Sequence, residues 1–245
     1  MISFVVPAYN EEALIGRTLD ALKLSMQQIE EPYEVVVADD GSSDLTAAIA
    51  EAHGARVIRV EHRQIAATRN AGAREALGDK LIFVDADTVV SEPVIRAAVN
   101  AMNEGAAGGG SAVSFDGRVP RYAERMQPAL VRIFRTLGIA CGCFLFCTRR
   151  AFEAAGGFDE GLFASEEITM SRALKRQGRF VVLRESVTTS GRKLRMYTGK
   201  QVLRLFVGIL LAGPNALKKR EGLEVWYGGR REDSECSVTG LPENW

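Results

Sequence analysis

The chain has 245 residues, of which 47% are hydrophobic and 25% are charged. This length suits one large α/β domain or two small ones, and the composition excludes global disorder. The formal net charge is zero, which argues against general nucleic-acid binding. The charge is unevenly distributed, because Arg192–Arg220 contains eight Lys or Arg residues and no Asp or Glu. We therefore expect a local anionic partner for that segment and no nucleic acid.

The first half of the chain alternates short apolar runs with amphipathic stretches. This alternation predicts right-handed β–α–β crossovers and a mostly parallel central sheet flanked by helices, the Rossmann-like form of the α/β class. The predicted strands are Ile2–Val6, Glu34–Ala38, Val57–Val60 and Leu81–Val84. The predicted helices cover residues 11–26, 44–53, 65–77 and 92–103.

The alternation ends near residue 105. Three consecutive glycines at 108–110 predict a bend or a close approach of two backbones. Beyond them, the sequence predicts strands near Ser111–Phe115, Cys143–Cys147 and Phe180–Leu183, and helices near Tyr122–Thr136 and Glu167–Gln177. We divide the chain into two halves of one domain, 1–110 and 111–190, a basic and apolar helical segment, 191–227, and a flexible tail, 228–245.

The cysteines and the N-terminus bear on cellular location. The spacing of Cys141, Cys143 and Cys147 predicts one face of a strand, and it lacks the CxxC pairing of metal-binding thiolates. We expect buried free thiols. The N-terminal residues 1–7 lack the basic and long apolar stretches of a signal peptide. Both features predict a cytoplasmic protein.

The apolar stretch Val202–Ala212 is too short to span a bilayer. A helix so nearly apolar is either buried in the protein or lies flat on a membrane surface. Its basic flanks favour anionic lipids, and the sequence leaves both alternatives open. In the second alternative, Arg192–Arg220 attaches the protein peripherally to the inner face of the membrane.

Two carboxylates, Asp85 and Asp87, directly follow the predicted buried strand Leu81–Val84. Ligands of open α/β sheets bind at this carboxyl edge. Two acids one residue apart suit a Mn²⁺ or Mg²⁺ ion that also binds the phosphates of a substrate. A solvated turn explains the same pair, so the pattern alone is weak.

Three further groups are predicted at the same edge. Tyr9, after the first strand, offers a flat ring to a planar base. Asp39 ends the second strand, where a carboxylate can bind a base or a ribose hydroxyl. Arg69 lies on a predicted helix and can bind a diphosphate. Turns, caps and surface ion pairs explain each group singly, but their convergence favours a nucleotide site.

Adjacent acids, Glu166 and Glu167, begin a predicted helix in the second half. Neighbouring residues on a helix point about 100° apart, so both cannot face one pocket. We expect one of the two to be functional and the other to be structural.

The ordered motifs resemble those of the inverting family-2 glycosyltransferases of GT-A fold, over residues 2–183. The resemblance implies one catalytic domain, whose first half binds a nucleotide-sugar donor, a UDP-sugar by default, and whose second half binds the acceptor, with a lipid-linked acceptor among the options. The matching motifs are Val5–Glu12, Val37–Asp44, Arg69–Gly72, Phe83–Asp87, Gly156–Glu160 and Glu166–Arg172.

The resemblance also implies a role for each matching residue. Glu167 occupies the general-base position, where aspartate is commoner, and Asp87 binds the metal directly. Asp85 approaches both the ribose and the metal. The residues implied to bind the nucleotide part of the sugar donor are Pro7, Ala8, Tyr9 and Glu11 along the pocket, Asp39 at the base and Arg69 toward the diphosphate.

Two departures from the family pattern limit these implications. The only histidines, His53 and His62, both precede Asp85, so the late histidine ligand of many relatives is missing. The segment Gln201–Leu205 is a degraded form of the QxxRW motif of processive synthases, which favours single additions. Two other functions stay open: a sugar nucleotidyltransferase, although Pro7–Glu11 lacks a glycine-rich phosphate loop, and an inactive nucleotide-sugar-binding protein of GT-A fold.

Overall fold

The computed structural model describes residues 1–196 and Leu223, and within them eight strands form one sheet of order β3-β2-β1-β4-β7-β6-β8-β5. The strands are β1 (Ile2–Ala8), β2 (Tyr33–Asp39), β3 (Arg56–Arg59), β4 (Lys80–Val84), β5 (Thr88–Val89), β6 (Ala106–Phe115), β7 (Phe144–Thr148) and β8 (Arg179–Thr189). The helices are α1 (Ile15–Met26), α2 (Thr46–Ala52), α3 (Ile65–Glu75), α4 (Glu92–Asn103), α5 (Arg121–Leu137), α6 (Arg149–Ala155), α7 (Glu166–Gln177) and α8 (Arg192–Met196).

Strands β1 to β4 form the parallel region of the sheet. Both faces of β1 are buried, with Phe4 and Val6 packed in one apolar cluster and Val5 in the other. The first cluster contains residues of α1 and α4, and the second contains residues of α3 and α7. This burial on both faces explains the continuous apolar runs of the sequence. The predicted α/β domain with a mostly parallel sheet is confirmed.

Strands β5 to β8 form the mixed region. Strand β7 runs antiparallel to both of its neighbours, β4 and β6, whereas β6 and β8 are parallel. The predicted boundary between residues 110 and 111 falls inside β6, so both halves share one continuous sheet. Strand β5 and the short helices α6 and α8 were not foreseen from the sequence.

The glycine run lies within β6, where register shifts flank it in the pairing with β8, and of the two predicted alternatives the close approach is observed. A Cβ atom added at Gly109 would lie 2.1 Å from the carbonyl oxygen of Val181. A separate expectation, that the cysteines share one strand face, is wrong. Cys143 precedes β7 and packs in the first cluster, whereas Cys147 packs in the second, and both are free thiols.

Several predictions fall on residues 197–222 and 224–245, outside the part of the chain that the structure describes. They concern Val202–Ala212, Gln201–Leu205 and the tail from residue 228. Within residues 1–196, no helix combines the length and the apolar character needed to cross a bilayer.

Candidate active site

A cavity that is partly open to solvent lies at the carboxyl ends of β1 and β4. Six residues predicted to bind a nucleotide or a metal line this cavity: Pro7, Ala8, Tyr9, Glu11, Asp85 and Asp87. The predicted convergence of the β1 and β4 ends is therefore observed.

Tyr9 is covered on one face by an arginine that the sequence did not single out. The guanidinium carbon of Arg63 lies 4.0 Å from the centre of the Tyr9 ring. Arg63 also donates from Nη2 to the carbonyl oxygen of Gly41, at 3.0 Å. A planar base that stacks on Tyr9 therefore has a cation beside it, which adds to stacking.

Asp39 does not line the cavity, and its neighbour Asp40 does. Asp39 is 4% exposed, and its Oδ1 accepts from the backbone N–H of Ser42. The carboxylate of Asp40 is also committed to the protein. It accepts hydrogen bonds from the backbone N–H groups of His62, Arg63 and Gln64 and from the Thr68 hydroxyl. Asp40 therefore fixes the loop that carries Arg63, and a base contact by Asp39 stays a prediction.

Arg69 is buried, at 1% exposed, and does not line the cavity. Its guanidinium donates to Glu166 Oε1, Asp85 Oδ1 and the carbonyl oxygen of Gly142, each at 2.7 Å. Burial opposes the charge, but the carboxylates of Asp85 and Glu166 raise the pKa of Arg69 above its usual range. The observed partners of Arg69 are protein groups, and its predicted contact with a diphosphate stays a prediction.

The two adjacent acids of α7 differ as the helix geometry predicted. Glu166 is buried and paired with Arg69. Glu167 lies beside Gly142, where a Cβ atom would be 3.7 Å from its carboxylate. Burial, reinforced by the charge of Glu166, raises the pKa of Glu167 to about 8. A carboxyl group with this pKa is matched to accepting a proton near neutral pH.

Asp85 and Asp87 follow β4 in a tight turn, in which the N–H of Thr88 donates to the carbonyl oxygen of Asp85. Burial raises the pKa of Asp85, although Arg69 opposes the shift. Asp87 Oδ1 accepts from the Thr189 hydroxyl at 3.2 Å, and Oδ2 accepts from Arg192 at 3.2 Å. Both oxygens of Asp87 are therefore hydrogen bonded within the protein.

These contacts do not match a preformed divalent-metal site. Asp85 and Asp87 would hold such an ion, and Arg192 already supplies a positive charge to the carboxylate of Asp87. Among residues 1–196 and Leu223, no three His, Cys, Asp or Glu side chains converge where they could hold an ion. Binding of a Mn²⁺ or Mg²⁺ ion by Asp85 and Asp87 stays a prediction.

The motif Arg69–Gly72 has a clear structural role besides its place near the site. Asn70 exchanges two hydrogen bonds with the backbone of Phe158, each 2.9 Å long. A Cβ atom at Gly72 would lie 2.5 Å from Val5 Cγ1, so this glycine allows α3 to pack on β1. The motif joins the parallel region to the loop before α7.

Sequence reasoning missed two basic residues in the cavity wall, Arg192 and Lys193. The sequence placed both in a basic segment for which burial and membrane contact stayed open, and the structure places Arg192 in an ion pair with Asp87. Arg195 of the same segment is paired with Asp116. At the start of Arg192–Arg220, in the part that the structure describes, two arginines therefore pair with carboxylates of the protein. Two features of the sequence could have indicated this placement: the stretch lacks a histidine, and it contains several basic residues.

Known protein families and curated proteins resemble this chain. The family model described as glycosyl transferase family 2 matches residues 3–156. The undecaprenyl-phosphate 4-deoxy-4-formamido-L-arabinose transferase of Serratia proteamaculans is 36% identical over 97 residues, which cover 35% of this chain and 28% of that protein.

Two solved structures share the fold. The structure of S. aureus TarS in complex with UDP-GlcNAc has a TM-score of 0.61 and 23% identity, and covers 77% of this chain and 58% of that one. The mannosyltransferase PcManGT of Pyrobaculum calidifontis, in complex with GDP-Man and Mn²⁺, has a TM-score of 0.64 and 22% identity, over 83% of this chain and 59% of that one. The aligned part of the chain spans about a quarter of the length of the curated relatives that it matches.

Proposed function

The chain belongs to glycosyl transferase family 2 and has the GT-A fold, and from this premise we propose that it transfers a sugar from a nucleotide-diphosphate donor to an acceptor hydroxyl, with inversion at the anomeric carbon. The proposed transfer is a single addition. The alignment with nucleotide-sugar-bound structures supports a UDP-sugar or GDP-sugar as the donor.

One observation carries the proposal. Arg69 binds Asp85 and Glu166 with the same guanidinium, at 2.7 Å each. It thereby holds the helix that bears Glu167 against the strand end that bears Asp85 and Asp87. The Glu167 carboxyl, with a pKa of about 8, therefore lies at the same edge of the sheet as the cavity, whose lining residues suit a nucleotide.

In the proposed reaction, Glu167 accepts the proton of the acceptor hydroxyl. The acceptor oxygen forms a bond to the anomeric carbon as the bond from that carbon to the diphosphate oxygen breaks. The electron pair of the broken bond leaves with the nucleoside diphosphate. A single displacement of this kind inverts the anomeric configuration and needs no covalent protein intermediate.

The cavity wall supplies the contacts for the sugar donor. Tyr9 offers its ring to the base, with Arg63 beside it. The basic side chains of Arg63, Arg192 and Lys193 lie in the wall, where they can stabilise the charge that develops on the departing diphosphate. We assign the ribose to the neighbourhood of Asp85.

Calorimetric titration with UDP, GDP, UDP-glucose and GDP-mannose tests the nucleotide site. We expect one nucleotide series to bind and the other to bind at least about tenfold more weakly. Equal failure of both series would remove the proposed function. A bound sugar donor that is never turned over with any acceptor would instead favour a binding protein.

Replacement of Glu167 by Gln tests the general base. We expect release of nucleoside diphosphate to slow by about 10² to 10⁴-fold, with nucleotide affinity unchanged. Glu153→Gln is the matched control, since Glu153 is an exposed acid on α6. Unchanged turnover in Glu167→Gln would remove its assigned role.

We further propose a lipid-linked acceptor and peripheral attachment to an anionic membrane through α5. Met126, Ile133 and Leu137 lie on one face of this helix and are each about half exposed. Four arginines occur on the same helix: Arg121, Arg125, Arg132 and Arg135. The arginines lie on the side of the helix away from this face, and an apolar face opposed by a basic one is typical of helices that lie in the surface of anionic bilayers. The undecaprenyl-phosphate transferase named above supports an acceptor of this class.

Flotation with vesicles tests the attachment. We expect binding to phosphatidylglycerol vesicles and little binding to phosphatidylcholine vesicles. Ile133→Ser should weaken the binding, whereas Leu77→Ser should not, because Leu77 is an exposed apolar residue far along the chain from α5. Equal binding of both variants would remove the role of α5.

A further inference from the structure

Arg192 is a buried cation in the wall of the cavity, with a side chain only 7% exposed. Its Nη2 atom donates to Glu11 Oε1 at 2.5 Å and to Asp87 Oδ2 at 3.2 Å. A single guanidinium therefore joins the carboxylate that follows β1 to the carboxylate that follows β4.

The backbone around Arg192 is anchored on both sides of the site. The N–H of Ser190 donates to the carbonyl oxygen of Asp87, and the N–H of Gly191 donates to Asp116 Oδ1. A Cβ atom at Gly191 would lie 2.7 Å from the carbonyl oxygen of Asp116, so the chain passes very close to that loop. Arg192 is thus held in place by its backbone as well as by its ion pairs.

The position of Arg192 coincides with a place that the sequence assigned to a metal ion. Asp87 was the residue implied to bind that ion, and its Oδ2 is bound by Arg192 instead. A guanidinium carries one positive charge where a divalent ion carries two, so Arg192 offsets part of the charge of the two carboxylates at this place. A guanidinium can also bind phosphate oxygens, through paired hydrogen bonds.

We propose that Arg192 is the resident cation of this cavity: it holds Glu11 and Asp87 together and binds the diphosphate of the sugar donor in the position otherwise taken by a divalent ion. The inference rests on the proposed function for its ligand, a nucleoside diphosphate. It predicts a protein that binds this ligand without added metal.

Binding of Mn²⁺ alone tests which cation the carboxylates prefer. In titrations followed by the electron paramagnetic resonance signal of free Mn²⁺, we expect the wild-type protein to bind weakly. Arg192→Gln should bind Mn²⁺ about tenfold or more tightly, because Glu11 and Asp87 lose their counter-charge. Arg195→Gln, which removes a neighbouring arginine paired with Asp116, should behave as the wild type.

Titration with UDP and GDP in EDTA tests the diphosphate contact. We expect the affinity of the wild type for the nucleotide that binds to be unchanged by EDTA. Arg192→Gln should lose about tenfold or more of that affinity in EDTA and regain it with Mn²⁺. Arg192→Lys keeps the charge without the paired donors, so its loss should be smaller. Thermal denaturation of each variant checks that it folds.

The outcomes separate this inference from the function on which it rests. Wild-type protein that binds Mn²⁺ as tightly as Arg192→Gln would overturn it, and so would unchanged nucleotide affinity in both Arg192 variants. Failure of UDP and GDP to bind the wild type, with and without Mn²⁺, would overturn the nucleotide-sugar function itself. In that case the Mn²⁺ titration alone would show whether Arg192 displaces a metal ion.

Discussion

The parallel and mixed regions of the sheet place their site residues in different ways. In the parallel region, Pro7, Asp85 and Asp87 reach the cavity because they lie near or just beyond the carboxyl ends of buried strands. In the mixed region, Glu166 and Arg192 are joined to the site by ion pairs with residues of the parallel region. The parallel region thus forms the carboxyl edge of the sheet at which the cavity lies. Ion pairs between residues far apart in the sequence hold Glu166 and Arg192 at this edge.

We therefore expect the two regions to respond differently to mutation. Residues at strand ends are positioned by a backbone that many apolar contacts support. The residues joined by ion pairs depend on single side chains, since loss of one partner leaves a buried charge uncompensated.

Replacement of Arg69 by Met should have the largest effect, because it cuts the contact between the two regions. It leaves the carboxylates of Asp85 and Glu166 without their cation, and we expect a loss of about 3–5 kcal/mol in the free energy of unfolding. Urea denaturation measures this loss. Arg74→Met is the control: Arg74 is exposed and 3.9 Å from Glu160, so its effect should stay within about 0.5 kcal/mol. Equal effects would mean that Arg69 does not link the regions.

Gly109→Ala should disturb the mixed region alone. The added Cβ meets the carbonyl oxygen of Val181 at 2.1 Å and Phe146 Cζ at 2.4 Å, and we expect a cost of about 1–3 kcal/mol. Gly16→Ala, inside α1, should cost much less, because its nearest contact, His53 Cε1 at 3.3 Å, belongs to a partly exposed side chain that can shift. Chemical denaturation of both variants measures the difference. A tolerated alanine at residue 109 would argue against the close strand approach.

The pH dependence of stability should identify Glu167 as a half-buried proton acceptor. The pKa of Glu167 is about 8 in the native state, compared with 4.5 for an ordinary glutamate carboxyl. The native state therefore binds the proton more tightly than the unfolded state. The associated stability is complete below the unfolded pKa and is lost as the pH rises through about 8. Glu167→Gln should therefore be more stable than the wild type at pH 9, by about 1–2 kcal/mol after allowance for partial exposure. Parallel pH profiles of the two proteins would contradict the shifted pKa.

Arg63→Ala should have the smallest effect, since it removes one partly exposed cation from the parallel region. We expect nucleotide affinity to fall by about 0.5–1 kcal/mol through loss of the contact with Tyr9. Calorimetric titration with the nucleotide that binds measures the change. Arg59→Ala, at the end of β3, is the control and should retain wild-type affinity. A loss of several kcal/mol would show that Arg63 contacts the diphosphate directly.

Much of the parallel region was predictable from the sequence. Alternating apolar runs and helical periodicity report local structure, so β1, β2 and β4 and their carboxyl edge followed from the pattern alone. The glycine run was harder, because a strand interior and a bend share the same composition. Gly108–Gly110 form part of β6 because Phe146 and Val181 lie too close for side chains. That proximity is a property of three strands together.

The residue pattern by itself determined the α/β class and the edge that carries Asp85 and Asp87, and it predicted that Glu166 and Glu167 point in different directions, since these features depend on near neighbours along the chain. Only the tertiary structure decided what each buried arginine binds. Arg69 meets Glu166 across 97 positions, and Arg192 meets Glu11 across 181. The sequence around a charged residue does not indicate so distant a partner. The pairing arises because a charge that is buried in the folded protein needs a partner of opposite charge.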